Sequence, residues 1–309
     1  MPIEKTPLVL TIGSFDGLHL GHQTIIHRVK EIARELQGTS GMVTFHPLPA
    51  QLLHPDFPYL LTTIDEKIPL LTELGIQFTY IIEFNQQLRT TEPEQFIEEH
   101  IIKPLRPTVL VLGADHRFGK NGRGDINLLR TILKPHDVQL ETVPEFHHLG
   151  APVKSTRIRE HLVLGHIRLA VELLGRPYAF TGKVTSGSGT GRRLGFPTIN
   201  LVPEHREKLL PAEGVYAVIA ETPLGNFGGV LNIGFRPTFG GSNRTIETHL
   251  LDYPANAPKV EKVTIHFLER IRPEIRFDTP AQLKRQIEQD VTIARQLIED
   301  SIYRDYFLR

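Results

Sequence analysis

The chain has 309 residues, equal numbers of basic and acidic side chains at 35 each, and no cysteine. At 40% hydrophobic and 23% charged residues it has the composition of an ordered chain of about two globular domains, and the lack of cysteine excludes disulfides, thiol nucleophiles and thiolate metal sites. The zero formal charge argues against a nucleic-acid partner, and with neither an apolar signal core in M-P-I-E-K-T-P nor an uncharged apolar run of about 18 residues, the expectation is a cytoplasmic protein with no membrane partner.

From residue 8 to about 143, β-rich runs alternate with helix-period runs. L-V-L-T-I (8–12), M-V-T-F (42–45), F-T-Y-I-I (78–82), T-V-L-V-L (108–112) and V-Q-L-E-T-V (138–143) read as strands. Several are apolar throughout, as in a parallel sheet covered on both faces. Ile25, Ile26, Val29, Ile32, Ala33 and Leu36 recur at helical steps, with Gly38 as a stop. Pro69 weakens a helical reading of 64–74. Thr91 and Glu94 form a capping-box pattern before Phe96, Ile97 and Ile101, and Asp125 is an N-cap candidate before Ile126, Leu128, Leu129 and Ile132. The alternation predicts a doubly wound, Rossmann-like parallel sheet.

Residues 155–175 read as two short helices separated by Gly165, ending at L-L-G-R-P-Y. Beyond them Y-A-F-T-G-K-V, P-T-I-N-L-V, V-Y-A-V-I-A, G-V-L-N-I, I-E-T-H-L-L and V-T-I-H-F-L read as strands of a closed antiparallel six-stranded barrel. Leu283, Ile287, Val291, Ala294 and Ile298 share one face of a C-terminal helix. The fold class is therefore α/β with two domains, residues 1–177 and 178–309.

The first strand runs into G-S-F-D-G-L-H-L-G-H (13–22) and then a helix. Ligands of doubly wound folds sit at the carboxyl ends of the strands, and a helix start offers N–H groups and a positive dipole end to phosphate. His19 and His22 share a helix face, where imidazoles can donate to phosphate oxygens during transfer. On its own, such a pair is more often surface decoration, and as metal ligands the two lack an apparent third ligand nearby.

The whole string resembles the G-x-F-D-G-x-H-x-G-H signature of bacterial FAD synthetases, within the nucleotidyltransferase superfamily. G-A-D-H-R-F-G (113–119) is similar to that family's G-x-D-F-x-F-G, and V-K-S-T-R-I-R (153–159) to its I-S-S-T-x-x-R. The resemblance implies that His19 and His22 contact ATP phosphates on a loop containing Gly13, Phe15, Asp16, Gly17 and Gly21. It further implies that Ser155, Thr156 and Arg159 close on the phosphates, and that Asp115 stands near the nucleotide.

In the second half, G-K-V-T-S-G-S-G-T-G-R-R-L-G-F-P-T-I-N (182–200) places Gly187, Gly189, Gly191 and Gly195 before Thr198 and Asn200. Such a loop can wrap phosphate. Thr198 and Asn200, two apart on a strand, point the same way and supply oxygen donors suited to Mg²⁺. T-x-N alone is ordinary strand decoration.

This string resembles the G-x-x-x-G-x-x-x-G-x-P-T-A-N signature of riboflavin kinases, with G-V-Y-A (214–217), G-V-L-N-I-G-F-R-P-T-F-G (229–240) and I-E-T-H-L-L-D (246–252) in agreement. It implies Glu247 as the base, Gly182, Lys183, Gly187, Gly189 and Gly191 at the nucleotide, Thr198 and Asn200 at the metal, and Arg272 and Phe277 near the flavin. Together the motif sets cover nearly the whole chain and imply the bifunctional prokaryotic riboflavin kinase/FAD synthetase family. Its members use ATP and Mg²⁺ with riboflavin, FMN, FAD and ADP as ligands, and the flavin is cargo. The sequence assigns no oligomeric state.

The chain departs from the family at His116, where phenylalanine is usual, at Leu48 of T-F-H-P-L-P and at Lys154 of V-K-S-T. A D-L-Y-G-like stretch after Asp252 is replaced by Y-P-A-N-A-P-K-V-E-K. The expectation is that both activities persist with altered affinity or rate. The alternatives are that only the kinase half is fully active, with the first half weak or acting on another phosphate.

Overall fold

The structure, a computed structural model, describes residues 6–53, 59–186, 190–238, 241–254 and 256–307. The chain divides into two compact units, 1–155 and 156–309. Among the described residues no helix is long and apolar enough to cross a membrane.

In the first unit, β1 (Leu8–Ile12), β2 (Thr39–His46), β3 (Phe78–Glu83), β4 (Val109–Gly113) and β5 (Gln139–Val143) form a five-stranded sheet in the order β3-β2-β1-β4-β5, all parallel. The central strands β1 and β4 are almost wholly apolar because both of their faces are covered. Val9, Val109 and Val111 pack under Ile26, Val29 and Ala33 of the helix Leu20–Glu35. Leu10, Leu110 and Leu112 face Phe96, Ile101 and Leu129 on the other side. The strand order reverses between β1 and β4, so the loops after them diverge and open a crevice. A hairpin of β6 (His147–His148) and β7 (Ala151–Pro152) follows the sheet.

Two local expectations are corrected. Thr91 is not an N-cap: the helix starts at Pro93 with Glu92 as a cap that makes no side-chain bond, and Thr91 Oγ1 instead donates to the Gln87 carbonyl at 3.0 Å. Proline at the first helical position needs no N–H partner, which moves the start by one residue. Residues Ile64–Glu73 do form a helix with Pro69 inside, held by a Thr63/Glu66 capping box and a buried Leu71.

In the second unit, β8 (Tyr178–Thr185), β9 (Ile199–Pro203), β10 (Gly214–Thr222), β11 (Gly225–Thr238), β12 (Gly241–Leu250) and β13 (Lys262–Arg272) close an antiparallel barrel in the order β10-β11-β12-β9-β8-β13. Phe180 and Tyr216 pack on the ring of Phe267 in its core. The helices Ser155–Leu164 and Ile167–Leu174, read from sequence as closing a first domain at 177, fall almost wholly in this unit. Ile167–Leu174 packs on β8 and β13, and Ala212 N–H donates to the Leu162 carbonyl at 3.0 Å.

The C-terminal helix, Pro280–Glu299, is capped by Thr279 and Gln282. Val291 and Ala294 pack with Val215, Ala217 and Val230 of the barrel. Gly187 and Gly189 lie outside the described residues. The backbone of Thr190–Leu194 forms a short helix rather than the open loop expected from its glycines, and Gly195 ends it at φ +91°.

Candidate active sites

The loop after β1 turns sharply: Phe15, Gly17 and Leu18 have φ of 46°, 87° and 43°. Non-glycine residues in this region store strain that surrounding contacts must hold. Gly13 N–H donates to the Val43 carbonyl at 3.0 Å, and a side chain on Gly13 would run into the Phe15 ring at 2.9 Å. The Asp16 carboxylate accepts from Leu61 and Thr62 N–H at 3.2 and 2.9 Å. Asp16, expected at the phosphate, thus braces the loop against a distant segment.

His19 is the N-cap of Leu20–Glu35, its Nδ1 accepting from His22 N–H at 3.3 Å. In the neutral ring the proton then lies on Nε2, which is a donor. The two imidazoles stack with centroids 3.6 Å apart, and the Phe15 ring sits 4.9 Å from that of His22. Two cations at that spacing would repel strongly. The pair therefore offers directional donors at a helix N-terminus rather than two fixed charges.

Residues 153–155 lie against the same loop. The Val153 carbonyl abuts Gly21, with 3.2 Å to a side-chain carbon built there, and Ser155 Oγ donates to the Asp16 carbonyl at 2.8 Å. Between them Lys154 bridges Glu145 at 2.8 Å and Asp115 at 3.4 Å. Those two carboxylates, Glu145 first, hold the Lys154 ammonium above its ordinary pKa. The substituted lysine is thus paired with the motif aspartate. Thr156 and Arg159 belong to the second unit, on Ser155–Leu164, and Arg159 is buried.

Beside Gly13 and Ser14 opens a cleft of about 360 Å³ walled by Phe45, Phe84, Phe96, Phe118 and His116. Leu48 is buried, donates its N–H to Gln51 Oε1 at 2.8 Å, and is not part of that wall.

Lys67 was not singled out from sequence. It is 1% exposed, and its Nζ donates to the Ser14 carbonyl at 2.7 Å and reaches Thr44 Oγ1 at 3.5 Å. Burial pulls its pKa down to about 8, opposed by Asp16. The available signal was its place four residues before Leu71, on the buried face of the helix.

The second unit holds a cleft of about 280 Å³ whose lining includes Gly191, Thr198, Glu247, Arg272 and Phe277. Along β12, Thr245, Glu247 and His249 line it while Ile246, Thr248 and Leu250 are buried on the opposite face. Glu247 pairs in register with Asn200 of β9 and Asn232 of β11, and paired residues share a face. Asn200 therefore neighbours Glu247 without lining the cleft itself. Gly182 and Lys183 lie on β8 away from this lining.

A side chain on Gly191 would overlap the Phe196 carbonyl at 2.4 Å and meet Thr198 at 3.1 Å, so glycine lets this segment fold onto itself. His249 Nδ1 lies 2.9 Å from the Pro197 carbonyl and pins the strand entry that carries Thr198. Hard oxygen donors next to a glycine cradle fit a magnesium ion shared with phosphates.

Arg272 is held by Asp290 through Nε at 2.9 and 3.1 Å and Nη2 at 2.7 Å, with the carboxylate only 2% exposed. Gln286 Nε2 adds a bond to the same carboxylate at 3.0 Å. The guanidinium lies 5.9 Å from the Phe277 ring. Leu283, Ile287 and Asp290 of Pro280–Glu299 form part of the cleft wall.

A family model described as FAD synthetase matches residues 2–157, and one described as riboflavin kinase matches residues 174–298. The bifunctional riboflavin kinase/FMN adenylyltransferase of Escherichia coli (strain K12) is 35% identical, over 93% of this chain and 92% of that protein. The protein of that description from Bacillus subtilis (strain 168) is 36% identical, over 93% and 91%. The chain belongs to the bifunctional riboflavin kinase/FMN adenylyltransferase family. A solved Streptococcus pneumoniae structure, described as a macrolide-efflux protein, matches with a TM-score of 0.86 at 28% identity, over 96% of this chain and 95% of that one.

In family terms the first matched segment carries the histidine loop and the aromatic cleft, and the second carries the Glu247 cleft. Where the D-L-Y-G-like stretch is missing, Asp252 is clamped by Arg295 at 2.7 and 2.8 Å, and Tyr253 packs edge-on against Phe227 at 4.9 Å. The altered segment therefore begins from a fixed anchor on the C-terminal helix.

Proposed function

We infer that this chain converts riboflavin and ATP to FMN and ADP in its second unit, and FMN and ATP to FAD and pyrophosphate through the site built on its first unit. The observation that carries the assignment is the contrast between the two sites. Glu247 places a carboxylate on the wall of a cleft beside Thr198, whereas the first site presents a strained loop, a helix start and stacked imidazoles.

That contrast matches the chemistry. Riboflavin offers a neutral primary hydroxyl, and its attack on the γ-phosphorus of ATP benefits from a carboxylate that accepts the hydroxyl proton. Glu247 takes that role. Mg²⁺, held by Thr198 and Asn200 together with the nucleotide phosphates, supplies charge neutralisation when bound. Arg272 and Phe277 shape the flavin end of the cleft.

FMN attacks the α-phosphorus with an oxygen that is already anionic, so the first site needs alignment and charge stabilisation rather than a base. The N-terminus of Leu20–Glu35 and His19 Nε2–H receive the phosphates. Ser155, whose Oγ donates to the Asp16 carbonyl of the same loop, lies at their edge, and Asp115, paired to Lys154, stands beside the nucleotide. Asp16 and Lys67 keep the loop in its strained shape. ATP is available in the cytoplasm, where we place the protein.

The test is to incubate the purified chain with riboflavin, ATP and Mg²⁺ and to separate the flavins over time. FMN should appear first and FAD after it. FMN without FAD would remove the adenylyltransferase assignment, and the absence of any phosphorylated flavin would remove the kinase.

A further inference from the structure

We propose that His116 is a specificity-determining residue of FMN adenylylation that hydrogen-bonds the polar, uracil-like edge of the isoalloxazine. The inference rests on the reading of the first unit as the FMN site and deepens it.

The aromatic wall is continuous. Phe45 lies 6.1 Å from Phe84 and 6.2 Å from Phe96, Phe96 lies 6.4 Å from Phe118, and Phe118 stacks on His116 at 6.0 Å with an interplanar angle of 20°. Such a wall suits the face of a broad planar ring system. It starts beside Gly13 and Ser14, so a flavin lying on it has its phosphate end directed to the loop. A three-ring flavin uses this length better than a two-ring adenine does.

His116 is the polar end of the wall, and its position is fixed. Its N–H donates to the Gly113 carbonyl at 3.0 Å, and Phe118 and Gly124 exchange two backbone bonds of 3.1 and 2.9 Å. A side chain on Gly124 would overlap the Phe118 ring at 2.6 Å, which locks that turn. Neither His116 ring nitrogen bonds another described residue.

Burial pulls the His116 pKa down to about 4, against the opposing pull of Asp115. The ring is therefore neutral at physiological pH, with one donor and one acceptor nitrogen. Two polar nitrogens facing the dimethylbenzene edge would be desolvated for nothing. Facing the N3–H and carbonyl edge, one of them is satisfied in either tautomer, as acceptor from N3–H or as donor to a carbonyl.

The test compares the full-length chain with H116F and H116Q, using FMN and FMN methylated at ring N3. H116F should raise KM for FMN about three- to tenfold, the worth of one neutral hydrogen bond, with kcat within twofold and KM for ATP unchanged. H116Q should recover part of the loss. N3-methylation should weaken binding to the wild type, and that penalty should shrink in H116F. Riboflavin phosphorylation by the second unit, unchanged in both variants, reports that the chain is folded. An unchanged KM for FMN, an effect falling on ATP, or a methylation penalty equal in wild type and H116F overturns the proposal. A wild type that adenylylates no FMN overturns the parent reading instead.

Discussion

The Lys67 ammonium donates a 2.7 Å hydrogen bond to the Ser14 carbonyl from beneath the loop that carries the stacked histidines. A charge at 1% exposure is costly, and the fall of its pKa from 10.5 to about 8 corresponds to roughly 3 kcal/mol. Below pH 8 both folded and unfolded chains hold the proton, so this penalty is fully present. As pH rises from about 8 toward 10.5 the folded chain releases the proton first, the penalty is relieved, and this group's contribution to stability improves. The loop loses its cation over the same range. FAD formation should therefore decline above pH 8 with an apparent pKa of about 8, while resistance to urea does not decline with it. Lys67→Met should keep the melting temperature within a few degrees, because burying an apolar chain offsets the lost bonds. It should lower FAD formation at least tenfold and flatten the alkaline limb of its pH profile.

His19 and His22 are separable by experiment despite their stacking. His22→Ala removes one imidazole and leaves the cap intact, so FAD formation should be abolished while FMN accumulates from riboflavin. His19→Ala also removes the acceptor of the His22 N–H bond. It should cost about 1 kcal/mol of stability besides. Flavin separation by chromatography and a thermal melt of each variant check both statements. FAD production by His22→Ala at the wild-type rate would contradict the first.

These two sites differ in how much of them could be read in the chain. The strand L-V-L-T-I and the loop after it were legible because periodicity and glycine placement act locally. The barrel was legible because its short runs end in turn residues. Lys67 was hidden: in T-I-D-E-K-I it looks like a solvated helix position, and only a tertiary contact with Ser14, 53 residues away, explains its burial. Asp16 was visible, but its bracing role was not, since its partners Leu61 and Thr62 lie 45 and 46 residues on. Thr91 lost its capping role to Pro93 two residues later. The cluster of glycines before Thr198 concealed the short helix Thr190–Leu194.

Glu247 gives the sharpest separation of the two activities. Glu247→Gln preserves shape and removes the proton acceptor, so FMN formation from riboflavin should fall about 10²- to 10⁴-fold, the range of a positioned general base. KM for riboflavin should change little, because the amide fills the same space between Asn200 and Asn232. Supplied FMN should still be converted to FAD at the wild-type rate, since that step asks nothing of Glu247. A loss of both activities would mean that the residue is structural.

The Arg272–Asp290 pair ties the C-terminal helix to the kinase cleft, and its energetics are asymmetric. Asp290→Asn leaves the guanidinium, itself 17% exposed at the side chain, without its anion. Breaking one half of such a pair costs about 3–5 kcal/mol, which for a unit of this size lowers the melting temperature by on the order of 10 °C. Replacing both partners with apolar residues, as in Arg272→Met with Asp290→Leu, should recover most of that loss because no buried charge remains. Riboflavin binding should not recover, since the Arg272 guanidinium beside Phe277 is gone from the cleft in the double variant. Melting curves and the KM for riboflavin, measured on the single and double variants together, distinguish a pair that only staples the helix from one that also shapes the flavin site.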